Sequence, residues 1–202
     1  MHTDITLMRH GETDWNADGR WQGVAPTPLN ANGVQQAKTA APFLRSAGIS
    51  QLISSDLLRC RTTAQIVADV LGLPIILDKR WREIDLGRWQ GLNRAEIEAW
   101  DGDAYRRFHE VSYLDRLFPD GERQQEHIDR TAEALEDVVV RYPGQHTLVS
   151  THGGSIRCAL YYLLQERHGL MHNCSLTRLR YDHDAEEWHV LTISAMPADV
   201  TW

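Results

Sequence analysis

No apolar run in the chain approaches the ~20 residues a membrane helix needs, which argues against a helical membrane span. Cysteine is scarce. Cys60, Cys158 and Cys174 are odd in number and widely spaced, with no Cys-x-x-Cys pair and no zinc-type spacing. That pattern argues against a disulfide framework and a metal site, and reduced, mostly buried thiols are expected. The start, Met1-His2-Thr3-Asp4, has neither the basic opening nor the apolar stretch of a secretory signal, so a cytoplasmic protein is expected. An excess of basic charge is missing as well: 21 Lys and Arg face 28 Asp and Glu, a formal net charge of -7. General nucleic-acid binding needs a basic surface, so no nucleic-acid partner is expected. A small anion is not excluded, because a local cationic pocket acts over a few ångströms while distant charge is screened. There is no internal repeat and no low-complexity tract.

What is present is an ordinary globular chain. Its 202 residues, 42% hydrophobic and 24% charged, fit a single domain spanning 1–202 that buries its own core. Short apolar runs alternate with helix-period segments. Strands are expected at Ile5–Met8, Gln51–Ser55, Pro74–Leu77, up to Thr151, Ser175–Tyr181 and Trp188–Ser194. Helices are expected at Gly33–Ala47, from an Asp56 cap to Leu71, at Arg94–His109, Glu122–Tyr142 and Ser155–Gln165, with a long loop at Asn16–Gly33. This order predicts an α/β three-layer sandwich, a mostly parallel central sheet flanked by helices, with a small helical cap inserted at about 94–121.

Chemistry concentrates where strands end. The first strand runs into Arg9-His10-Gly11-Glu12, and a second strand-His-Gly unit, Thr147-Leu148-Val149-Ser150-Thr151-His152-Gly153-Gly154, lies far along the chain. Arg59 follows the second strand. Carboxyl ends of parallel strands share one sheet edge, where open α/β folds bind ligands, so Arg9, His10, Arg59 and His152 can converge. Two arginines and two histidines around one point suit a dianionic phosphoryl group. Gly153 and Gly154, opening a helix, can add backbone N–H donors at its positive end. An imidazole titrating near neutrality can attack phosphorus and leave again. The departing alkoxide needs a proton, and Glu83, in an irregular segment after the third strand, is the best donor, with Glu12 as its rival.

These residues resemble the histidine phosphatase superfamily, its phosphoglycerate-mutase-like group, over nearly the whole chain. The matching runs are Arg9-His10-Gly11-Glu12-Thr13 with Asn16, Ser54 to Ala64, Arg82-Glu83-Ile84-Asp85-Leu86-Gly87 to Gly91, Pro119-Asp120-Gly121-Glu122 and Thr151-His152-Gly153-Gly154. The resemblance implies that His10 becomes phosphorylated, that Arg59 belongs to the phosphate pocket, and that Glu83 is the proton donor. It also implies that Asn16, Gln22 and Gly23 contact the substrate. Thr27 stands where relatives often carry aspartate, and Cys60 where alanine is common; neither is expected to touch the chemistry.

The expected activity is that of a metal-independent histidine acid-type phosphatase, without cofactor, acting through phosphohistidine on a small phosphorylated metabolite. A cofactor-dependent phosphoglycerate mutase is the alternative. The resemblance tilts against it, because such mutases carry a longer insertion before Pro-x-Gly-Glu and a longer tail. A non-catalytic phospho-ligand sensor is the alternative from another class. Arg106, Arg107 and Arg116 are candidates for contacting a second anionic group of the substrate. Trp81, Trp89 and Trp100 are read as core before substrate mouth, and His168 and His172 as surface residues before metal ligands. A homodimer is compatible with the chain but has no support in it.

Overall fold

The computed structural model describes all residues 1–202. Six strands form one sheet: β1 (His2–Arg9), β2 (Gln51–Ser54), β3 (Ile75–Leu77), β4 (His146–Thr151), β5 (Leu176–Asp182) and β6 (Glu187–Ala195), in the order β3-β2-β4-β1-β5-β6. The pairings β3–β2, β2–β4 and β4–β1 are parallel; β1–β5 and β5–β6 are antiparallel. The sheet is therefore mixed, parallel through its centre and antiparallel at one edge. The central strands β1 and β4 read as near-continuous buried runs, whereas the edge strand β6 alternates between exposed and half-buried residues.

Helices cover both faces. They are α1 (Asp14–Ala17), α2 (Ala31–Ala40), α3 (Leu58–Leu71), α4 (Arg94–Glu110), α5 (Gln124–Arg141) and α6 (Gly153–Leu164). Side chains alternate across a strand, so Ile5 and Leu7 of β1 point to one face and Met8 to the other. Ile5 and Leu7 pack with Leu135 and Val138 of α5 and Ile156 and Leu160 of α6. Met8 packs with Ala37 of α2 and Val67 of α3. These two clusters are the layers on either side of the sheet. A third cluster, with Trp89, Ile97, Tyr105, Phe108 and Phe118, lies under α4, in the segment that follows the loop carrying Glu83.

Local differences from the expected elements have physical causes. Asn16–Gly33 is not one loop: Thr13 caps α1 with a capping box, and α2 begins at Ala31 because Asn30 caps it, its Oδ1 accepting from Gly33 N at 2.8 Å. Pro42 has no N–H for the ladder, and the chain tightens into a 3₁₀ segment over Ala41–Ala47 before Gly48 ends it at φ 69°. Asp56 does not cap α3, which starts at Leu58 with no side-chain cap. Its carboxylate instead takes two 2.6 Å bonds from Arg82. That pair ties the end of β2 to the loop carrying Glu83. The helix expected from Ser155 opens two residues earlier, at Gly153. Within α4, Asp101 leaves helical geometry (φ -134°, ψ 37°) and accepts from Trp89 Nε1 at 2.8 Å.

Candidate active site

The β1–β4 register pairs Arg9 with Thr151. The next residue on each strand is a histidine, so the two imidazoles emerge side by side, with ring centroids 5.3 Å apart. Gly11 then turns under α2. A Cβ on Gly11 would sit 2.4 Å from the Gly33 carbonyl oxygen, which explains the glycine that follows the histidine.

His10 Nδ1 lies 2.7 Å from the Gly11 carbonyl oxygen. A carbonyl only accepts, so Nδ1 carries the proton and Nε2 presents a lone pair. That lone pair accepts from Arg59 Nε at 3.2 Å. Burial, and then the Arg59 and Arg9 guanidiniums, hold His10 well below the ordinary histidine range. His10 is thus a neutral imidazole of fixed tautomer. Arg59 is fully buried. Its Nη2 donates to Gly23 O at 2.7 Å and its Nη1 to Ala25 O at 2.9 Å, so it also fixes the loop that carries Gln22.

A cavity of about 280 Å³ opens over this group. Arg9, His10, Asn16, Gln22, Gly23, Arg59 and Glu83 all line it, and Glu83 is its only carboxylate. Glu83 Oε2 accepts from Gly154 N at 2.9 Å, at the first turn of α6. A Cβ on Gly154 would fall 1.8 Å from Glu83 Oε1, so only glycine leaves room for the carboxylate. Glu12 is not in the cavity; it accepts from Asn30 Nδ2 at 2.9 Å. Asn16 Oδ1 accepts from Thr13 N, which leaves its amide N–H groups for the cavity. Burial, opposed by Glu83, brings the Arg9 guanidinium down to about 10, and its Nε is buried without a partner.

His152 and Gly153 are close but do not line the cavity. His152 is fully buried behind His10, with Nε2 2.9 Å from Ser55 Oγ and 3.2 Å from Cys60 Sγ. Both sequence departures therefore touch the site. Cys60 contacts His152, and Thr27 accepts from Arg59 Nη1 at 3.3 Å while donating to Gln22 Oε1 at 2.6 Å. Of the three cap arginines, Arg106 pairs with Asp103 on the exposed side of α4, and Arg107 lines neither the His10 cavity nor a second cavity that shares Tyr113 with it. Arg116 alone faces the mouth. Trp81 and Trp89 are core, while Trp100 is 62% exposed.

Sequence reasoning missed several cavity residues: Trp21, Tyr113, Gln124, His127 and Arg157. Arg157 had a visible signal, one helical turn after Gly154 on the same face. Another missed device is Glu122–Arg130. Arg130 donates to both Glu122 oxygens and to the carbonyls of Arg80, Arg82 and Glu83, which fixes the Glu83 loop from behind. No three His, Cys, Asp or Glu side chains are grouped to hold a metal ion.

The sequence model of the histidine phosphatase superfamily (branch 1) matches residues 5–194, and the chain belongs to that superfamily, whose members include phosphatases and mutases. Among named relatives it is 38% identical over 184 residues to a probable phosphoglycerate mutase GpmB of Enterobacter sp. (strain 638), covering 88% of this chain and 84% of that one. Among solved structures it is similar to Bacillus stearothermophilus YhfR (30% identity, TM-score 0.86, 96% and 98% of the two chains). It is also similar to a mycobacterial glucosyl-3-phosphoglycerate phosphatase in complex with VO3 (30% identity, TM-score 0.83, 95% and 99%).

Proposed function

We propose that the protein is a phosphomonoester hydrolase that works through a phosphohistidine on His10 and acts on a small phosphorylated metabolite. One observation carries this reading: a neutral imidazole, with Nδ1 held by Gly11 and an unprotonated Nε2 that only Arg59 Nε contacts, lines a cavity whose single carboxylate is Glu83.

In this reading Nε2 attacks phosphorus and the ester P–O bond breaks. Glu83, in its acid form, gives its proton to the leaving oxygen. The Glu83 carboxylate then takes a proton from a water whose oxygen attacks phosphorus. The P–N bond breaks, phosphate departs, and Glu83 is again protonated. Arg9 and Asn16 meet the phosphoryl oxygens, and Arg59 Nε exchanges the His10 lone pair for one of them. Gln22 and Gly23 close the loop side. His152 buttresses the His10 ring and joins the phosphoryl contacts if its Nε2 releases Ser55. No metal takes part in the scheme.

Hydrolysis of p-nitrophenyl phosphate in excess EDTA, by wild type and by His10→Ala, tests the reading. Turnover by wild type alone is expected; equal turnover by both removes the phosphohistidine. The name of the Enterobacter relative favours a second reading, a phosphoglycerate mutase. With 3-phosphoglycerate the hydrolase releases free phosphate, whereas a mutase forms the 2-phospho isomer.

A further inference from the structure

Past Tyr113 the reaction cavity runs into a second cavity of about 360 Å³. The two share Trp21, Tyr113, Phe118, Gln124 and Arg157, so a molecule seated over His10 extends into the second along an aromatic wall. The second cavity is also lined by Arg116, Arg167 and His168, and by no carboxylate.

The charge there is uncompensated. Nine other arginines of the chain (20, 80, 82, 88, 94, 106, 130, 141 and 180) sit in ion pairs with Asp or Glu. Arg116 and Arg167 are held by aromatic rings instead. The Arg116 guanidinium lies 5.2 Å from the Phe108 centroid and 5.8 Å from Tyr113, and that of Arg167 lies 4.8 Å from Tyr113. Arg116 Nε and His168 Nε2 are both buried without a partner. Burial and then the neighbouring Arg167 charge lower the Arg116 guanidinium, and Arg116, Arg94 and Arg167 add to burial in lowering His109. Burial pushes the Tyr113 phenol up to about 12, so it remains a neutral donor among these cations. Cations kept together with no anion among them form a receptor for one.

We infer that Arg116, Arg157 and Arg167 form a second anion subsite, which takes a carboxylate or phosphate borne by the leaving group of the substrate. The inference rests on the phosphatase reading of the His10 cavity and names its substrate class: phosphomonoesters whose alcohol carries a second anionic group beyond an apolar or flat-faced spacer.

Binding is measured by calorimetry with phosphonates, whose P–C bond needs no turnover. A graded series of ω-phosphonocarboxylates and terminal bisphosphonates is compared with alkylphosphonates of the same length. In wild type, at least one spacer length of the doubly anionic probes binds about tenfold or more tightly than its singly anionic counterpart, the worth of one or two charge-assisted hydrogen bonds. In Arg116→Gln/Arg167→Gln that ratio falls to about threefold or less. The alkylphosphonate affinity is the internal reference for an intact His10 cavity. If the double variant does not fold, raised salt on wild type serves in its place: the ratio must shrink as the second contact is screened. No preference at any length, or a ratio unchanged by both the variant and salt, overturns the inference. A preference for bisphosphonates alone assigns the subsite to phosphate, and a matching preference for carboxylates assigns it to either anion. His10-dependent hydrolysis is scored separately, so the subsite stands if binding holds and turnover is absent, and falls if turnover holds and the ratio is flat.

Discussion

Acidification from pH 7 to pH 5 should weaken the fold through the histidines of the site. His10, His127 and His152 are 3%, 1% and 0% exposed. Burial holds each well below the ordinary histidine value of 6.5, and nearby arginines push in the same direction. The sign follows from linkage. With the folded pKa depressed, the unfolded chain takes up protons first as pH falls, so stability is greatest above 6.5 and is lost below it. A histidine that ionises only when unfolded costs about 1.4 kcal/mol per pH unit below 6.5. Between pH 7 and 5 the loss is at most roughly 2 kcal/mol for each, reached where the folded imidazole stays neutral throughout, and the three together set a ceiling of roughly 6 kcal/mol. His146, also lowered by burial, adds in the same direction. The buried-edge carboxylates Asp4 and Asp56 are lowered from 3.8, so their loss comes at more acidic pH and leaves this window to the histidines.

A loss of this size is comparable to the whole stability of an ordinary domain. Urea denaturation in phosphate-free buffers at the two pH values checks it; phosphate would stabilise the native state by binding. The midpoint should be lower at pH 5 than at pH 7, at unchanged m. His127→Gln should remove about a third of the pH dependence. Equal midpoints at pH 7 and 5 would refute the assignment of these imidazoles as neutral, and with it the unprotonated Nε2 of His10 on which the proposed chemistry rests.

Other consequences follow from single contacts. Gly154→Ala places a Cβ 1.8 Å from Glu83 Oε1; turnover of alkyl phosphates should fall about 10²-fold or more, and that of aryl phosphates, whose leaving groups need little protonation, much less. Equal losses on both would mean that Glu83 is not the acid. Arg130→Met leaves Glu122 and three carbonyls of the acid/base loop without their donor; a loss of about 3 kcal/mol by urea denaturation is expected, together with reduced turnover, although Arg130 lies outside the reaction cavity. Burial raises the thiols of Cys60 and Cys174 to about 12 and that of Cys158 further; Ellman's reagent at pH 8 should label none of them in the native protein and all three in urea.

The boundary of what the sequence discloses runs between strands and loops. The alternation of β1 and the apolar run of β4 make two strand ends legible, and a parallel pairing then brings His10 and His152 together with no other knowledge of the fold. Arg59 is legible to the same extent, as a cation at that edge. Its actual bonding is not, because Arg59 Nε reaches His10 only when the Gly23–Ala25 loop folds over its other nitrogens. Asp56 shows the converse failure. Its position before a helix is a sound local cap signal, but a bidentate arginine from a loop 26 residues away outbids the helix N–H groups.

The arginines of the mouth mark the limit most clearly. Asp103 stands three residues before Arg106, a spacing that already marks Arg106 as self-satisfied on a helix surface. Arg116 directly follows Asp115, and Arg167, in the segment after α6, directly follows Glu166, yet neither carboxylate lines the cavity the two arginines share. Flanking carboxylates are visible in a sequence; which way they face, and whether two arginines meet, is not. Two unpaired loop arginines can lie on opposite sides of a protein, each solvated and inert. Here Tyr113 gathers both onto one ring at the exit of the His10 cavity. In the proposed reading, substrate choice is thus written in contacts between loops, while strand order alone brings the two histidines together.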